Sequence, residues 1–546
     1  MFLPTADYVT SRILVPGGFT DLAGEFLIQY FMYPYVGAII TTLLLTVITL
    51  TINAVLSNIN KEYNWLIPAC IPSLFLLFLH FDFNYEIAGT VAFLLMLVVL
   101  WGSLAFKNDL YRLVYNLMAV FLLFWLCGSV FVLYTVLVVL YEFILAKKYR
   151  LWSLLFVILV LTLGVLSLRL AWVGEYRLIF LPDIFYHAKL QPQNLIYFSW
   201  IALILLYIAA FFIKPIINKK TAIMLVPLIG SLVIVLLITY WGVQEYGDQK
   251  ALHVKKLDYL ARTKQWDAIM KESEGELKNY LYLSYLNLAL AEKGILAERM
   301  FLYDQRGVDG LFLKWNKTFS ISILLSDIYF AIGNIAIAQE MAFEANVCAL
   351  GGGNPRMIKR LIETNLIYGE YEVAEKYIRL LEETVYYKKW ASEQRRFLYN
   401  DEAVENDSLL GEKRRGLLPD SYLANMLGGD KDLLNMAEHY PTNKAPIEFY
   451  GSLILLAKDL PEFKKLLDTY YNTEVLPVLP HGFQEAVIIL AENNPEEWLK
   501  YGVSQSVIER FGQYRKTILA NKNNQALPRL VAHEFGNTYW YYFMFK

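Results

Sequence analysis

A short polar stretch between two apolar segments holds the residues best suited to chemistry. It reads His80-Phe-Asp82-Phe-Asn84-Tyr-Glu86, so two carboxylates and an imidazole fall within one turn or helix start. Such groups at a membrane boundary position a metal or act as acid and base. The structural alternative is that Asp82 or Asn84 caps the next helix and Glu86 complements its dipole.

Two other polar segments offer groups of the same kind. Segment 173–194 carries charged residues among aromatic ones, and Asp7 and Asp21 lie near the start of the chain. The alternative interpretation is a solvated loop for 173–194 and an interfacial or capping role for Asp7 and Asp21. The charged or titratable residues of this loop include Glu175, Arg177, Asp183, His187 and Lys189.

The sequence excludes several common kinds of site. Cys70, Cys127 and Cys348 have no disulfide or zinc spacing, and no phosphate-binding glycine loop or nucleophile elbow occurs. His533-Glu534 lacks the second histidine that a zinc protease needs. A net charge of −2 provides no field that would attract nucleic acid. The sequence therefore assigns no metal ion and leaves any cofactor unknown.

The elements that must position these residues are apolar helices in the first half of the chain. Hydrophobic residues make up 57% of the sequence, well above the share in a soluble protein, and the excess lies before residue 244. Gly128 and Ser129 alone divide the fourth and fifth apolar stretches, so one long broken helix is the alternative there. Eight stretches approach the length needed to cross about 30 Å of hydrocarbon: 33–56, 64–80, 86–106, 112–127, 129–146, 150–172, 195–213 and 221–243.

Basic residues fall in alternate connections between these stretches. Connections 81–86 and 128–129 contain none, and 173–194 carries only Arg177 and Lys189. Because lysine and arginine resist translocation, the basic connections are expected in the cytoplasm and the others outside it. The basic residues are Lys61, Lys107, Arg112, Lys147, Lys148, Arg150, Lys214, Lys219 and Lys220.

Eight spans would leave both ends of the chain outside the cytoplasm. Residues 1–32 lack a signal peptide, so we expect an additional span upstream of Met1. An N-out first helix or a wrong span count are the alternatives. Apolar residues at helical spacing on both sides of Pro16-Gly17-Gly18 predict two short amphipathic helices at the membrane interface.

The second half, residues 245–546, is typical of a soluble helical chain. Its apolar residues recur at helical spacing in segments of 10–16 residues, with no long period-2 pattern. Residues 328–338 and 364–374 align at an offset of 36, each with a glycine and an alanine five positions later. This pattern predicts a tetratricopeptide-like α-solenoid outside the membrane, with an irregular helical domain as the alternative.

Two resemblances follow from these segments. The opening Leu3-Pro-Thr-Ala-Asp7-Tyr8, the Pro16-Gly17-Gly18 turn, the His80–Tyr85 stretch and the ending Phe535–Phe543 resemble an uncharacterised family of polytopic membrane proteins from Bacteroidota. The resemblance covers the whole chain. Because that family has no known function, it implies an organisation, including a further span upstream, and no mechanism.

The layout also resembles the GT-C superfamily of membrane glycosyltransferases, which use lipid-linked sugars. That resemblance implies a first external segment with interfacial helices, acidic residues in external loops and an external domain. It implies transfer from a polyprenyl phosphate sugar, with Asp82, Glu86, His80 and Asp7 as candidate catalytic residues. Arg177, His187 and Lys189 would contact the lipid phosphate. The region just after the first span, where that superfamily usually carries an acidic motif, is absent from this sequence or different in it.

The sequence thus predicts an all-α protein: a polytopic bundle of about eight helices over 33–243, then a tetratricopeptide-like domain. We expect a bacterial inner-membrane protein with a periplasmic C-terminal domain, acting as a GT-C-like glycosyltransferase. The alternative is a scaffold that binds envelope proteins through its helical repeats. A transporter is disfavoured because charged residues are scarce at mid-span.

A cysteine placed near residue 300 tests the orientation. Because the basic connections are expected to stay in the cytoplasm, that position should lie outside it. A thiol reagent that does not cross membranes should therefore label it in intact cells. Labelling only by a reagent that has entered the cytosol would overturn the orientation and both functional hypotheses.

Overall fold

The computed structural model describes residues 1–145, 152–187, 191–213, 225–349, 352–418, 429–492 and 494–546. Within these ranges every regular element is a helix, which confirms the predicted all-α class. The chain divides into two compact units. Unit 1 comprises Met1–Gln249 with Glu383–Tyr386, and unit 2 comprises Lys250–Glu382 with Tyr387–Lys546.

Unit 1 contains the apolar helices. Four of them, α3, α5, α6 and α10, are long and apolar enough to cross a membrane by length and composition. Helices α4, α7 and α8 lie in three further predicted stretches but are shorter, and α11 lies in the eighth. The helices of unit 1 are α1 (Ala6–Ile13), α2 (Gly18–Ile28), α3 (Val36–Ile59), α4 (Cys70–Leu79), α5 (Ile87–Leu104), α6 (Asp109–Cys127), α7 (Val130–Ile144), α8 (Ser153–Arg169), α9 (Tyr176–Phe180), α10 (Leu195–Phe212) and α11 (Leu225–Tyr246).

Helices α6 and α7 form a tight antiparallel hairpin, so the single broken helix is excluded. Gly128 reverses the chain with φ +62°, a conformation that glycine adopts without steric cost. Successive contacts then pair positions progressively farther from the turn. The Phe124 and Phe131 rings lie 5.2 Å apart, and the Tyr134 hydroxyl donates to Asn116 Oδ1 at 2.7 Å.

A buried ion pair holds the other end of this hairpin. Arg112 Nε donates to Glu142 Oε1 at 2.6 Å, and both side chains are almost fully buried. A second carboxylate, Asp109, accepts from Arg112 Nη2 at 2.7 Å. Removing either partner of the buried pair would leave an uncompensated charge, which typically costs several kcal/mol.

Unit 2 consists of short helices that mostly pair as hairpins. Consecutive hairpins pack on one another, since α14 contacts α16 and α17 contacts α18. The helices are α12 (Gln249–Arg262), α13 (Trp266–Glu272), α14 (Tyr280–Glu292), α15 (Leu296–Arg299), α16 (Phe319–Ile332), α17 (Ile335–Val347), α18 (Pro355–Tyr368), α19 (Tyr371–Glu382), α20 (Lys388–Gln394), α21 (Asp401–Asn406), α22 (Leu410–Arg415), α23 (Gly429–His439), α24 (Ala445–Leu456), α25 (Leu460–Tyr470), α26 (His481–Leu490), α27 (Pro495–Lys500), α28 (Gln505–Ala520), α29 (Leu527–Phe535) and α30 (Tyr539–Phe545).

The same turn joins six helix pairs of unit 2. In each, a residue with positive φ ends the first helix, and the next residue donates its N–H to the carbonyl five positions earlier, at 2.8–3.1 Å. This is the Schellman closure of a helix C-terminus. The left-handed residues are Lys264, Gly294, Gly333, Gly369, Lys458 and Gly502.

The two aligned segments, 328–338 and 364–374, lie in two equivalent hairpins. Both helices of α18–α19 begin 36 residues after their counterparts in α16–α17, matching the sequence offset. Ala338 and Ala374 are fully buried where the two helices of each hairpin meet. The arrangement is not a simple series of stacked hairpins, however, because α24 and α26 pack against α15. The tetratricopeptide likeness therefore stays a prediction.

The backbone at Gly369 and Lys264 provides a test of this repeated turn. At Gly369 a methyl group would only touch Arg414 Nη2 at 3.8 Å, so Gly369→Ala should cost about 1 kcal/mol through backbone strain alone. Lys264→Gly should relieve the same strain at an exposed site. Hydrogen exchange of each hairpin in the full chain measures both effects.

The matched control is Lys264→Ala, which keeps the β-carbon and should leave exchange unchanged. Faster exchange in Lys264→Gly than in Lys264→Ala would contradict the steric account of the turn.

Candidate functional site

Four connecting segments of unit 1 meet at one end, which we call the loop end: residues 1–32, 80–86, 125–129 and 172–187. The Gly17 N–H donates to the Trp125 carbonyl at 2.9 Å, and the Glu86 N–H donates to the Phe185 carbonyl at 2.9 Å. These are the segments that the charge pattern assigns to a single side of the membrane. Their convergence creates a polar surface at the ends of the apolar helices.

Two close backbone approaches fix α2 within the loop end. A β-carbon on Gly24 would lie 3.0 Å from the Ala88 nitrogen, and one on Gly17 would lie 3.3 Å from the Gly128 α-carbon. Only glycine permits such contacts without displacing backbone. Helix α2 therefore packs directly against α5 and the α6–α7 turn, and its acidic face lies beside the start of α5.

Asp82 organises the turn between α4 and α5. Its Oδ1 accepts from the Asn84 backbone N–H at 3.0 Å and from Asn84 Nδ2 at 2.9 Å, which is an Asx-type turn. The Tyr186 hydroxyl donates to the other carboxylate oxygen. Asp82 is thus held by three donors, and it stabilises the turn rather than capping α5.

His80 and Glu86 have different surroundings although they border the same turn. His80 Nε2 lies 2.9 Å from the Thr90 hydroxyl, which also contacts the Tyr85 hydroxyl at 3.1 Å. Glu86 occupies the N-cap position of α5, yet its side chain caps nothing. Glu86 instead faces α2, where its electrostatic neighbours are Asp21 and Glu25.

Arg12 neutralises one carboxylate of this group. Arg12 Nη2 lies 2.7 Å from Glu25 Oε1, and the Tyr8 hydroxyl donates to Glu25 Oε2. Within the described residues, the carboxyl groups of Asp21 and Glu86 accept no hydrogen bond. Three carboxyl groups thus share one guanidinium, and two of them have no donor of their own.

Burial raises the pKa of both unpaired carboxyl groups. It raises the pKa of Asp21 to about 6, with Arg12 opposing the shift and Glu25 adding to it. It raises the pKa of Glu86 to about 7, and the negative charges of Asp21 and Glu25 add to the effect. A carboxyl group that titrates near neutrality accepts and releases protons under physiological conditions, as a general base or acid must.

Sequence reasoning selected Glu86 and named Asp21 separately, with an interfacial or capping role as the alternative, but it missed Arg12 and Glu25 as neighbours of Glu86. The spacing of Asp21 and Glu25 places them on one face of α2, and this was the available signal. Nothing in the sequence indicates that this face meets residue 86, because the contact depends on the approach of Gly24 to Ala88.

The other predicted residues are only partly brought together. Asp7 is exposed in α1, apart from the groups around Glu86. Arg177 Nη2 lies 2.6 Å from the buried Asp183, and 57% of the Arg177 side chain is exposed. The His187 N–H donates to the Asn84 carbonyl at 3.0 Å, which ties the 172–187 segment to the turn. Lys189 lies outside the described residues.

Across the described ranges, no group of three His, Cys, Asp or Glu side chains is arranged to hold a metal ion. The carboxyl groups and arginines of the loop end support proton transfer and electrostatic binding.

Comparison with known proteins identifies the family. The model of a family of unknown function, DUF6057, matches residues 1–546, so the chain belongs to that family. No curated protein and no solved structure matches the chain. The match covers the whole chain and brings no assigned activity.

The raised pKa values of Asp21 and Glu86 predict a pH-dependent stability that the double variant Asp21→Asn/Glu86→Gln should reduce. A carboxyl group whose pKa is higher in the folded state stabilises fully at pH values below its unfolded pKa. That stabilisation is lost as pH rises through the folded value. The thermal midpoint of the detergent-solubilised protein should thus fall between about pH 4 and 7, and less so in the double variant.

Glu175→Gln is the matched control, since Glu175 is exposed at the same end. It should keep the pH dependence of the unmodified chain. Parallel profiles for the unmodified chain and the double variant would show that Asp21 and Glu86 titrate normally.

Proposed function

We propose that this member of DUF6057 is a multi-pass membrane glycosyltransferase that takes its sugar from a polyprenyl phosphate donor, with Glu86 as general base. The observation that supports the proposal is the position of Glu86. It is a half-buried carboxyl group with no hydrogen-bond donor and a pKa near neutrality, at the end of the helices that are apolar enough to cross a membrane. A lipid-linked donor holds its phosphate at the membrane interface, and the ends of these helices would lie at that interface.

The proposed reaction needs one proton acceptor and one anion-binding group. Glu86 removes the proton from an acceptor hydroxyl while that oxygen bonds to the sugar C1. The bond from C1 to the phosphate oxygen breaks, and the lipid phosphate leaves with the electron pair. The role of Asp21 is to keep the pKa of Glu86 high through its negative charge.

Arg177 is the favoured contact for the leaving phosphate. Its Nε and Nη2 both engage Asp183, while more than half of the side chain is exposed at the loop end. Asp183 is buried and also accepts from the Tyr197 hydroxyl, so it fixes the guanidinium in place. Preorganised donors stabilise a developing phosphate charge without further rearrangement. His187 and Lys189 are proposed to assist from the same loop.

The membrane orientation is part of the proposal. Arg112 and the other basic connections lie in the segments that alternate with the loop end, so the positive-inside rule assigns the loop end to the periplasm. Residues 1–32 would then lie at the outer interface and unit 2 would be periplasmic. The bacterial inner membrane is the compartment that fits this arrangement.

A scaffold function is the second candidate, and a different observation favours it. The repeated Schellman turns and the two equivalent hairpins, α16–α17 and α18–α19, support the prediction of a tetratricopeptide-like array. Such arrays present surfaces for peptides or partner proteins. Under this proposal unit 2 binds envelope proteins, and the carboxyl groups at the loop end only position α2.

Glu86→Gln discriminates between the two proposals. The amide fills the same space but cannot accept a proton, so transfer should fall by about 10²–10⁴-fold if Glu86 is the base. The measurement is the profile of envelope glycans in a deletion strain that carries the variant, with the amount of inserted protein determined in parallel.

Glu175→Gln makes the same chemical change at an exposed position of the loop end and should restore the full profile. A normal glycan profile with Glu86→Gln would remove the enzymatic proposal. A deletion strain with unchanged glycans and a lost protein complex would favour the scaffold.

A further inference from the structure

A cavity of about 600 Å³ lies in unit 2, far along the chain from the loop-end site. It lies between the turn that follows α13, the segment after α15, and helices α29 and α30. Its volume falls within the range of pockets that hold small organic ligands. Charged, phenolic and small side chains line the cavity. A lipid-binding site or an empty cavity in the core would be lined mainly by apolar side chains, so this cavity resembles neither.

Two polar groups of the wall are held rigidly. Asp304 accepts from the Leu277 N–H at 2.9 Å, from Arg306 Nη2 at 3.0 Å and from Lys546 Nζ at 2.5 Å. Asn537 Oδ1 accepts from Arg510 Nη2 at 2.8 Å, which leaves the Asn537 amide nitrogen as a donor. Groups fixed in this way lose little entropy when a ligand binds.

Other lining groups have hydrogen-bonding capacity that the protein itself does not use. The carboxylates of Glu274 and Glu534 and the hydroxyls of Tyr303 and Tyr541 have no hydrogen-bond partner among the residues that the structure describes. Carboxylates are acceptors and phenols are both donors and acceptors. The cavity therefore offers several acceptors, several donors and two aromatic rings within one volume.

We infer that this cavity binds a short saccharide. Sugar hydroxyls donate and accept hydrogen bonds in pairs, and carboxylate, amide and phenol groups complement both roles. The rings of Tyr303 and Tyr541 provide apolar faces for the C–H side of a sugar ring together with a polar edge. The carboxyl groups of Glu274 and Glu534 disfavour anionic ligands, because like charges repel.

The inference goes beyond the proposed function. Binding here needs no reaction at the loop end, and transfer at Glu86 needs no occupied cavity. A direct binding measurement therefore fails or succeeds independently of the glycan profile that tests Glu86.

The test uses the full chain in phosphatidylcholine nanodiscs, because detergents with sugar headgroups would compete for the cavity. The protein is applied to an array of neutral mono- to hexasaccharides, and the best ligand is titrated by calorimetry. Tyr541→Phe and Glu534→Gln each remove one hydrogen-bonding function with little change in shape, and each should weaken binding about fivefold or more. Spermidine serves as a cationic probe.

Glu496→Gln is the matched control, an exposed carboxylate of α27 outside the cavity, and should bind as the unmodified chain does. Saccharide binding that falls in both cavity variants but not in this control supports the inference. The inference is overturned if no saccharide binds, if the cavity variants bind normally, or if spermidine alone binds.

Discussion

The electrostatics of the loop end depend on Arg12. Its single guanidinium interacts with three carboxyl groups, those of Glu25, Asp21 and Glu86. Arg12 forms a direct ion pair with Glu25, which leaves Asp21 and Glu86 with only its more distant influence. Burial then acts against the charged forms of these two groups, and each repels the other when ionised. A second arginine in this position would form an ion pair with Glu86, as Arg12 does with Glu25. The raised pKa of Glu86 thus depends on the fact that no basic side chain among the described residues forms an ion pair with it.

This arrangement explains why α2 must pack so closely. The carboxyl groups lie on α2 and before α5, two elements that are distant in sequence. Their separation is set by the approach of Gly24 to Ala88, where any larger side chain would push the helices apart. Hydration of Glu86 would then increase and its pKa would fall towards the ordinary value. The close packing of Gly24 on Ala88 therefore also helps to set the pKa of Glu86.

Sequence patterns predicted those features of the protein that local interactions determine. Helical periodicity located the apolar helices, and the glycines at 333 and 369 marked two of the hairpin turns. The same turn at Lys264 was not predictable, because lysine gives no signal for positive φ and the conformation is imposed by the Schellman hydrogen bonds. The surroundings of Asp82 were not predictable either. Its carboxylate has the composition of a catalytic group, but the donors that occupy it come from Asn84 and from Tyr186, about a hundred residues away.

In unit 2, side chains that are distant in sequence cap the N-termini of helices, and no local sequence pattern indicates these contacts. Glutamates accept the first free N–H groups of distant helices, where the helix dipole favours negative charge. Glu298 accepts from the His481 N–H at 2.6 Å, and Glu485 accepts from the Tyr539 N–H at 2.7 Å. The second contact anchors α30, whose Trp540 is fully buried, and α30 forms one wall of the proposed saccharide cavity.

Carboxyl groups therefore serve three purposes in this chain, and their surroundings decide which. Glu485 is buried and bonded to a helix terminus, so it is structural. Glu534 is exposed beside phenol groups and accepts no hydrogen bond among the described residues, so it suits the recognition of hydroxyls. Glu86 is half-buried, accepts no hydrogen bond among the described residues and lies near another carboxyl group. Burial, with a smaller contribution from the neighbouring negative charges, raises its pKa to about 7, where a proton is readily exchanged. Residue type alone could not distinguish these roles, since each depends on which groups the fold places next to the carboxylate.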